Sequence, residues 1–208
     1  MSLSLGMEGR QLKAFPAPFA WKNIPVQSSI VSEDSLAIRS AGCTDWFVDP
    51  VEKLWNKDDA PCALFTPPDS EFVFGAKVKV DFASTFDAGV IQVRVKDDLW
   101  GKLCFEYSPQ NKPMIVSVVT RGMSDDCNST IIDGDVVYLR VAVRPQAIAF
   151  HYSIDGAFWH MVRYFTLGCS DNIRVGLSAQ SPFGEGCSVT FSEIRYRAGT
   201  IKDHRSGE

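Results

Sequence analysis

The chain has 208 residues, of which 45% are apolar, 22% charged and 12% aromatic, with a net charge of −4. A chain of this length can form one large all-β domain and bury about 70% of its unfolded surface, so its core needs neither disulfide nor metal. The acidic balance and scattered Lys and Arg give no basic stripe, which argues against nucleic acid as a partner. No apolar run approaches the ~20 residues of a bilayer span, which argues against a membrane segment.

The first residues show no charged segment followed by an apolar one, so no secretory signal is read. Met1–Leu3 and Ser206–Glu208 are set aside, and a single domain is expected over 1–208 with its core at about 15–196. Short strands are expected at 19–24, 36–39, 46–48 and 63–65. Between them, 40–60 is loop-rich and carries Asp45, Trp46, Asp49, Trp55, Asp58 and Asp59. Loops of this kind at a sandwich edge often shape binding surfaces. The four acids match no calcium-loop spacing, and a solvated acidic loop is the simpler reading.

From residue 76 onward a two-residue alternation takes over. Ala76, Val78, Val80 and Phe82 oppose Lys77, Lys79 and Asp81, while Ile91, Val93 and Val95 oppose Gln92, Arg94 and Lys96. Val137, Leu139, Val141 and Val143 alternate with Tyr138, Arg140, Ala142 and Arg144, and Ile173, Val175, Leu177 and Ala179 with Arg174, Gly176, Ser178 and Gln180. Such strands have one core face and one wetter face. Turn signals recur between them, the strongest being Asp155-Gly156 between Phe150–Ser153 and Phe158-Trp159, which predicts a hairpin. Regular short strands and turns predict an all-β, two-sheet antiparallel jelly-roll sandwich.

The six cysteines, at 43, 62, 104, 127, 169 and 187, include no C-x-x-C pair. They read as reduced thiols, several of them acting as small hydrophobes, and with the missing signal they predict a cytoplasmic protein. Asn128-Ser129-Thr130 fits a glycosylation sequon that such a protein would never use. No P-loop, nucleophile elbow or zinc-helix motif is present, and no cofactor or metal is expected.

The polar faces of the middle strands carry the candidate site. Trp100, Lys102, Cys104 and Glu106 alternate on one strand face, Gln92 and Arg94 on the strand before, and Arg121 ends the next. If these strands are neighbours, Arg94, Trp100, Lys102, Glu106 and Arg121 share a sheet face. An aromatic platform beside charged hydrogen-bonding groups suits a sugar, although cross-strand ion pairs on a wet sheet would read the same way. Glycoside hydrolysis needs two carboxylates about 5–10 Å apart, and only Glu106 lies mid-strand. Its basic neighbours are expected to keep it ionised, which leads away from a glycosidase. Ser153 to Trp159 superficially matches the sialidase aspartate box, but with the glycine one place early and in one copy.

An ordered set of motifs runs over about 15–196: Thr44-Asp45-Trp46, Asp58-Asp59-Ala60-Pro61, Phe86–Val90, Trp100–Glu106, Ser117–Gly122, Ser124-Asp125, Leu139-Arg140, Tyr152–Trp159, Val175–Leu177 and Ser181–Gly184. The set resembles the family named after a yeast regulator of enolase, within the concanavalin A-like lectin and glucanase superfamily. It departs from that pattern at Gly101 and at Asp126, where larger and aromatic residues are usual. The resemblance implies a jelly roll without established enzyme activity, kinship to carbohydrate-recognising domains, and a carbohydrate ligand or a metabolic enzyme such as enolase as partner. It also implies Asp45 and Trp46 as ligand contacts beside the five sheet residues. Reading the same face as a glycan-processing enzyme is the alternative.

Overall fold

The structure, a computed structural model, describes residues 10–51, 55–168 and 172–208. No helix occurs among the described residues. The strands in chain order are β1 (Ala20–Lys22), β2 (Gln27–Ser32), β3 (Ser35–Arg39), β4 (Trp46–Val48), β5 (Asn56–Asp58), β6 (Cys62–Phe65), β7 (Phe72–Asp81) and β8 (Ala88–Lys96). They continue as β9 (Leu99–Tyr107), β10 (Pro113–Arg121), β11 (Met123–Ile131), β12 (Val136–Arg144), β13 (Ala147–Ser153), β14 (His160–Phe165), β15 (Arg174–Gln180) and β16 (Ser188–Ala198). One seven-stranded sheet has the order β1-β6-β15-β8-β9-β10-β11, a second the order β14-β13-β12-β7-β16-β3-β2, and β4-β5 form a separate ribbon. All pairings between these strands are antiparallel. The architecture is the jelly-roll sandwich that the alternation predicts.

The two inner faces interdigitate around one apolar core. Phe74, Val78, Val137, Leu139, Val141, Phe150, Val189 and Phe191 from the second sheet meet Ile91, Val93, Leu103, Phe105, Val175 and Leu177 from the first. Burying each such side chain stabilises the fold by about 1.5–3 kcal/mol before its entropy loss is counted. Gly101 sits on this inner face, where a Cβ would approach the Phe165 ring to 2.9 Å. Phe165 of β14 thus fills the space over Gly101.

The 155–156 hairpin joins β13 to β14 as expected. Asp155 Oδ1 accepts the Ser153 hydroxyl at 3.0 Å and the amides of Ala157 and Phe158 at 2.9 Å, and Gly156 takes a left-handed φ of 75°. Two strands, β2 and β11, lie where no alternation marks them: both are polar edge strands, with most of their residues exposed. The C-terminal segment, beyond the core expected at about 15–196, docks on the outer face of the second sheet. Ile201 and His204 are buried, the His204 carbonyl lies 2.8 Å from His151 Nε2, and Arg140 donates to the Gly207 carbonyl at 2.8 Å. Cys43, Cys62, Cys104, Cys127 and Cys187 are free thiols, and Cys169 lies outside the described residues.

Candidate functional site

The β4-β5 ribbon lies over the outer face of the first sheet and makes one wall of a cleft. It is anchored there by Val48, whose amide donates to the Ser124 hydroxyl of β11 at 2.9 Å. Ladder register sets the floor. Lys102 of β9 pairs with Gln92 of β8 and Val118 of β10, and Val118 with Asp126 of β11, so the four form a transverse row. Glu106 stands two pleats along the same face of β9.

Lys102 is the centre of the site. Its ammonium donates to Asp45 Oδ1 at 3.1 Å and to Gln180 Oε1 at 2.9 Å, and the residue is 2% exposed. Asp45 is fully committed, because Oδ1 also accepts the Trp46 amide at 2.7 Å and Oδ2 accepts Trp55 Nε1 at 2.9 Å. Burial alone would pull the Lys102 pKa down, but the neighbouring carboxylates, Asp45 foremost, outweigh it and hold the ammonium charged. An ion pair this deep gains little net stability, since desolvation offsets the attraction; it fixes geometry and charge in the cleft instead.

Glu106 behaves oppositely. Burial pushes its pKa up to about 8 despite Lys102, with Asp45 and Asp126 adding to the rise. The expectation that basic neighbours keep Glu106 ionised is overturned. Arg94 and Arg121 do not reach it, and desolvation exceeds the one cation that does. No described protein group hydrogen-bonds its carboxyl, so at neutral pH the cleft presents both a donor and an acceptor there. Asp126 is also raised, by burial first.

The rim is aromatic. Phe183, 63% exposed, makes edge contacts with Trp55 and Phe86, each at a centroid distance of 5.4 Å. Phe86 is held at a left-handed φ of 68°, unusual for a bulky residue. Its amide donates to the Tyr107 carbonyl at 2.7 Å and its carbonyl accepts Gln180 Nε2 at 3.3 Å. Buried Asp87 locks both rim loops, accepting the amides of Ala83 and Ser84 on Oδ2 and the Ser181 hydroxyl on Oδ1 at 2.6 Å. The cleft encloses about 260 Å³, with Asp45, Lys102, Glu106, Asp126, Trp55 and Phe183 among its lining.

Of the seven residues singled out in the sequence, Asp45, Lys102 and Glu106 line this cleft. Trp100 does not: it is 1% exposed and packs with Trp46, Ala60, Cys62, Leu64 and Val118 between sheet and ribbon. Trp46 is equally buried, with Nε1 donating to the Ser178 hydroxyl at 3.0 Å. Arg94 shares the face, but its guanidinium lies over the Trp46 ring at 5.0 Å and bonds Asp97 Oδ1 at 2.9 Å. Arg121 is on the wrong face. Thr120, not Arg121, pairs with Trp100, so Arg121 follows the opposite phase and donates to the Thr166 carbonyl. Gln180, Phe86 and Phe183 also line the cleft; their segments belong to the alternation and motif series, but nothing in the sequence marks them as cleft residues. The loop acids divide between ion pairs: Asp58 lies 3.6 Å from Lys22, and Asp59 lies 3.2 Å from Lys57 and accepts the Asp45 amide.

The family described as "Protein of unknown function (DUF1349)" matches residues 21–199. The chain belongs to this family. "Regulation of enolase protein 1" of Saccharomyces cerevisiae is 33% identical over 126 residues, which is 60% of this chain and 63% of the yeast protein, so the match spans less than two thirds of that relative. A crystal structure of a functionally unknown protein from Saccharomyces cerevisiae superposes with a TM-score of 0.78 at 26% identity, covering 88% of this chain and 97% of the other. A xylan β-1,4-xylosidase from Bacillus halodurans matches with a TM-score of 0.63 at 14% identity over 77% of this chain and 32% of its own, a likeness of fold alone.

Proposed function

We propose that the chain is a non-catalytic regulatory module whose cleft binds a neutral, hydroxyl-rich ligand of the sugar class. The observation that carries this reading is the Asp45–Lys102–Gln180 chain at the floor of an aromatic-rimmed cleft, beside a Glu106 carboxyl without a hydrogen-bond partner among the described residues. Sugar hydroxyls both donate and accept, which suits a protonated carboxyl, and sugar C–H faces suit exposed rings. The yeast relative's name supports a regulatory role toward a metabolic enzyme such as enolase. The free thiols support a cytoplasmic setting.

Glu106 has the raised pKa of a general acid, which keeps a glycan-processing enzyme as the second reading. Against it, Asp45 is spent on Lys102 and Trp55, and burial raises the pKa of Asp126, the other carboxyl on the cleft floor, which disfavours the ionised form that a nucleophile or base needs. A calorimetric panel of mono- and oligosaccharides should find saturable binding that Phe183→Ala weakens about tenfold or more, and that Glu106→Gln retains at pH 7, since glutamine mimics the protonated acid. The same panel should show no turnover. Absence of saturable binding ends the sugar reading, and turnover lost in Glu106→Gln establishes the enzyme.

A further inference from the structure

The outer face of the second sheet carries a separate cavity of about 520 Å³, on the far side of the sandwich from the first cleft. Its floor is set by register. Gly75 of β7 pairs with Arg140 of β12 on one side and with Arg195 of β16 on the other, and the next pair on the same face, Val73 and Arg197, adds a third guanidinium. Because Gly75 has no side chain, the space between Arg140 and Arg195 stays open; a Cβ there would meet the Leu139 carbonyl at 2.8 Å. Tyr138 and the Asp155–Trp159 hairpin form the opposite wall.

The charges do not cancel within this cavity. Among the described residues Arg140 has no carboxylate partner: its guanidinium stacks on Trp159 at 4.0 Å, one nitrogen donates to the Gly207 carbonyl, and its Nε is buried without a hydrogen bond. Among the described residues Arg197 makes no ion pair and reaches the Thr200 carbonyl alone, at 3.5 Å. Of the two acids present, Asp155 is consumed by its own turn. Glu193 is shared among Lys77 at 3.4 Å, the Tyr138 hydroxyl at 3.1 Å and Arg195 at 3.7 Å. Burial and the Arg197 charge together push the Arg140 pKa down to about 10, which is the mark of a cation held next to another cation without its counter-ion. This happens on a chain whose net charge is −4.

We propose that this cavity is a second ligand site, independent of the first cleft, that takes a small dianionic oxyanion group, a phosphate monoester or a dicarboxylate, between Arg140, Arg195 and Arg197. Guanidinium forks match the paired oxygens of either group; half-buried Arg140 supplies the partly desolvated contact, and Arg195 and Arg197 close on the ligand from the exposed side. Trp159 pre-orients Arg140 by stacking, so little side-chain entropy is lost on binding.

The test is calorimetry of the full chain with inorganic phosphate and, separately, with malonate, at constant ionic strength set with sodium chloride. Arg195→Gln and Arg197→Gln are exposed substitutions that leave the Arg140–Trp159 stack in place. Saturable binding of either anion, weakened about tenfold by each substitution and unaltered by Phe183→Ala in the other cleft, supports the site. Binding of phosphate but not malonate assigns the phosphate source, and the reverse assigns the carboxylate. No saturable binding of either anion, or binding unchanged in the Arg195→Gln/Arg197→Gln double variant, overturns the proposal and leaves the sugar reading of the first cleft untouched.

Discussion

Glu106 shows how burial can override a charged neighbour. Lys102 favours its ionised form, but the desolvation of a carboxylate in the closed cleft floor is larger, and the pKa rises from 4.5 to about 8. A carboxyl whose folded pKa exceeds its unfolded value binds more protons when folded. Its contribution is therefore fully present below pH 4.5 and lost as pH rises through about 8. The loss across that window is on the order of 3–5 kcal/mol if Glu106 acts alone. Glu106→Gln should remove this slope, leaving the variant as stable as the parent near pH 5 and more stable at pH 9, as read from urea midpoints at the two pH values. An equal alkaline loss in both proteins would show that Glu106 is not the titrating group. The sequence disclosed the identity and face of this residue through the alternation of β9. It could not disclose the pKa, because desolvation depends on the ribbon that closes over the sheet.

At the scale of elements, that same ribbon explains which site residues were legible. Strand phase on β8 and β9 correctly groups Arg94, Trp100, Lys102 and Glu106 on one face. Phase failed at Arg121 because the outward residues of β10 are Met114, Val116, Val118 and Thr120, mostly apolar, and the charged residue after them belongs to the inner phase. An apolar outward face is the sign of a second covering layer, and β4-β5 is that layer. Its two three-residue strands are too short to show a period. The edge strands β2 and β11 were silent for the converse reason: with both faces wet, nothing forces apolar alternation. Trp100 is thus a packing residue between sheet and ribbon. Trp100→Ala should cost about 3–5 kcal/mol in equilibrium denaturation. Trp55→Ala, at the half-buried rim, should cost clearly less while weakening ligand binding. Near-equal stability losses would mean that the ribbon does not close over Trp100 as described.

For the whole molecule, the two outer faces titrate in opposite senses. On the second sheet, His151 is buried beneath the docked C-terminal segment, and burial pushes its pKa down from 6.5 to about 4. The accepting carbonyl of His204 requires the proton on Nε2, which leaves Nδ1 bare and without a hydrogen bond in the interior. A histidine with a depressed folded pKa binds fewer protons when folded than when unfolded. Its contribution is present above pH 6.5 and lost as pH falls toward about 4, on the order of 3 kcal/mol in total. Between pH 4.5 and 6.5 the Glu106 and His151 slopes oppose each other and largely cancel. Above 6.5 only the Glu106 slope remains, so stability should decline toward pH 8. Below 4.5 the lowered carboxyl pKa values of Asp97, Asp155 and Asp203 add to the acid loss. The protein should therefore show a stability plateau at mildly acidic pH and decline on both sides. His151→Gln keeps a donor for the His204 carbonyl but cannot protonate. Whatever its cost at pH 7, it should turn the plateau between pH 4.5 and 6.5 into a fall of stability with rising pH, because the Glu106 slope then acts unopposed. A variant curve parallel to the parent across that range would place the acid sensitivity elsewhere and show that the docked segment does not depend on a neutral His151.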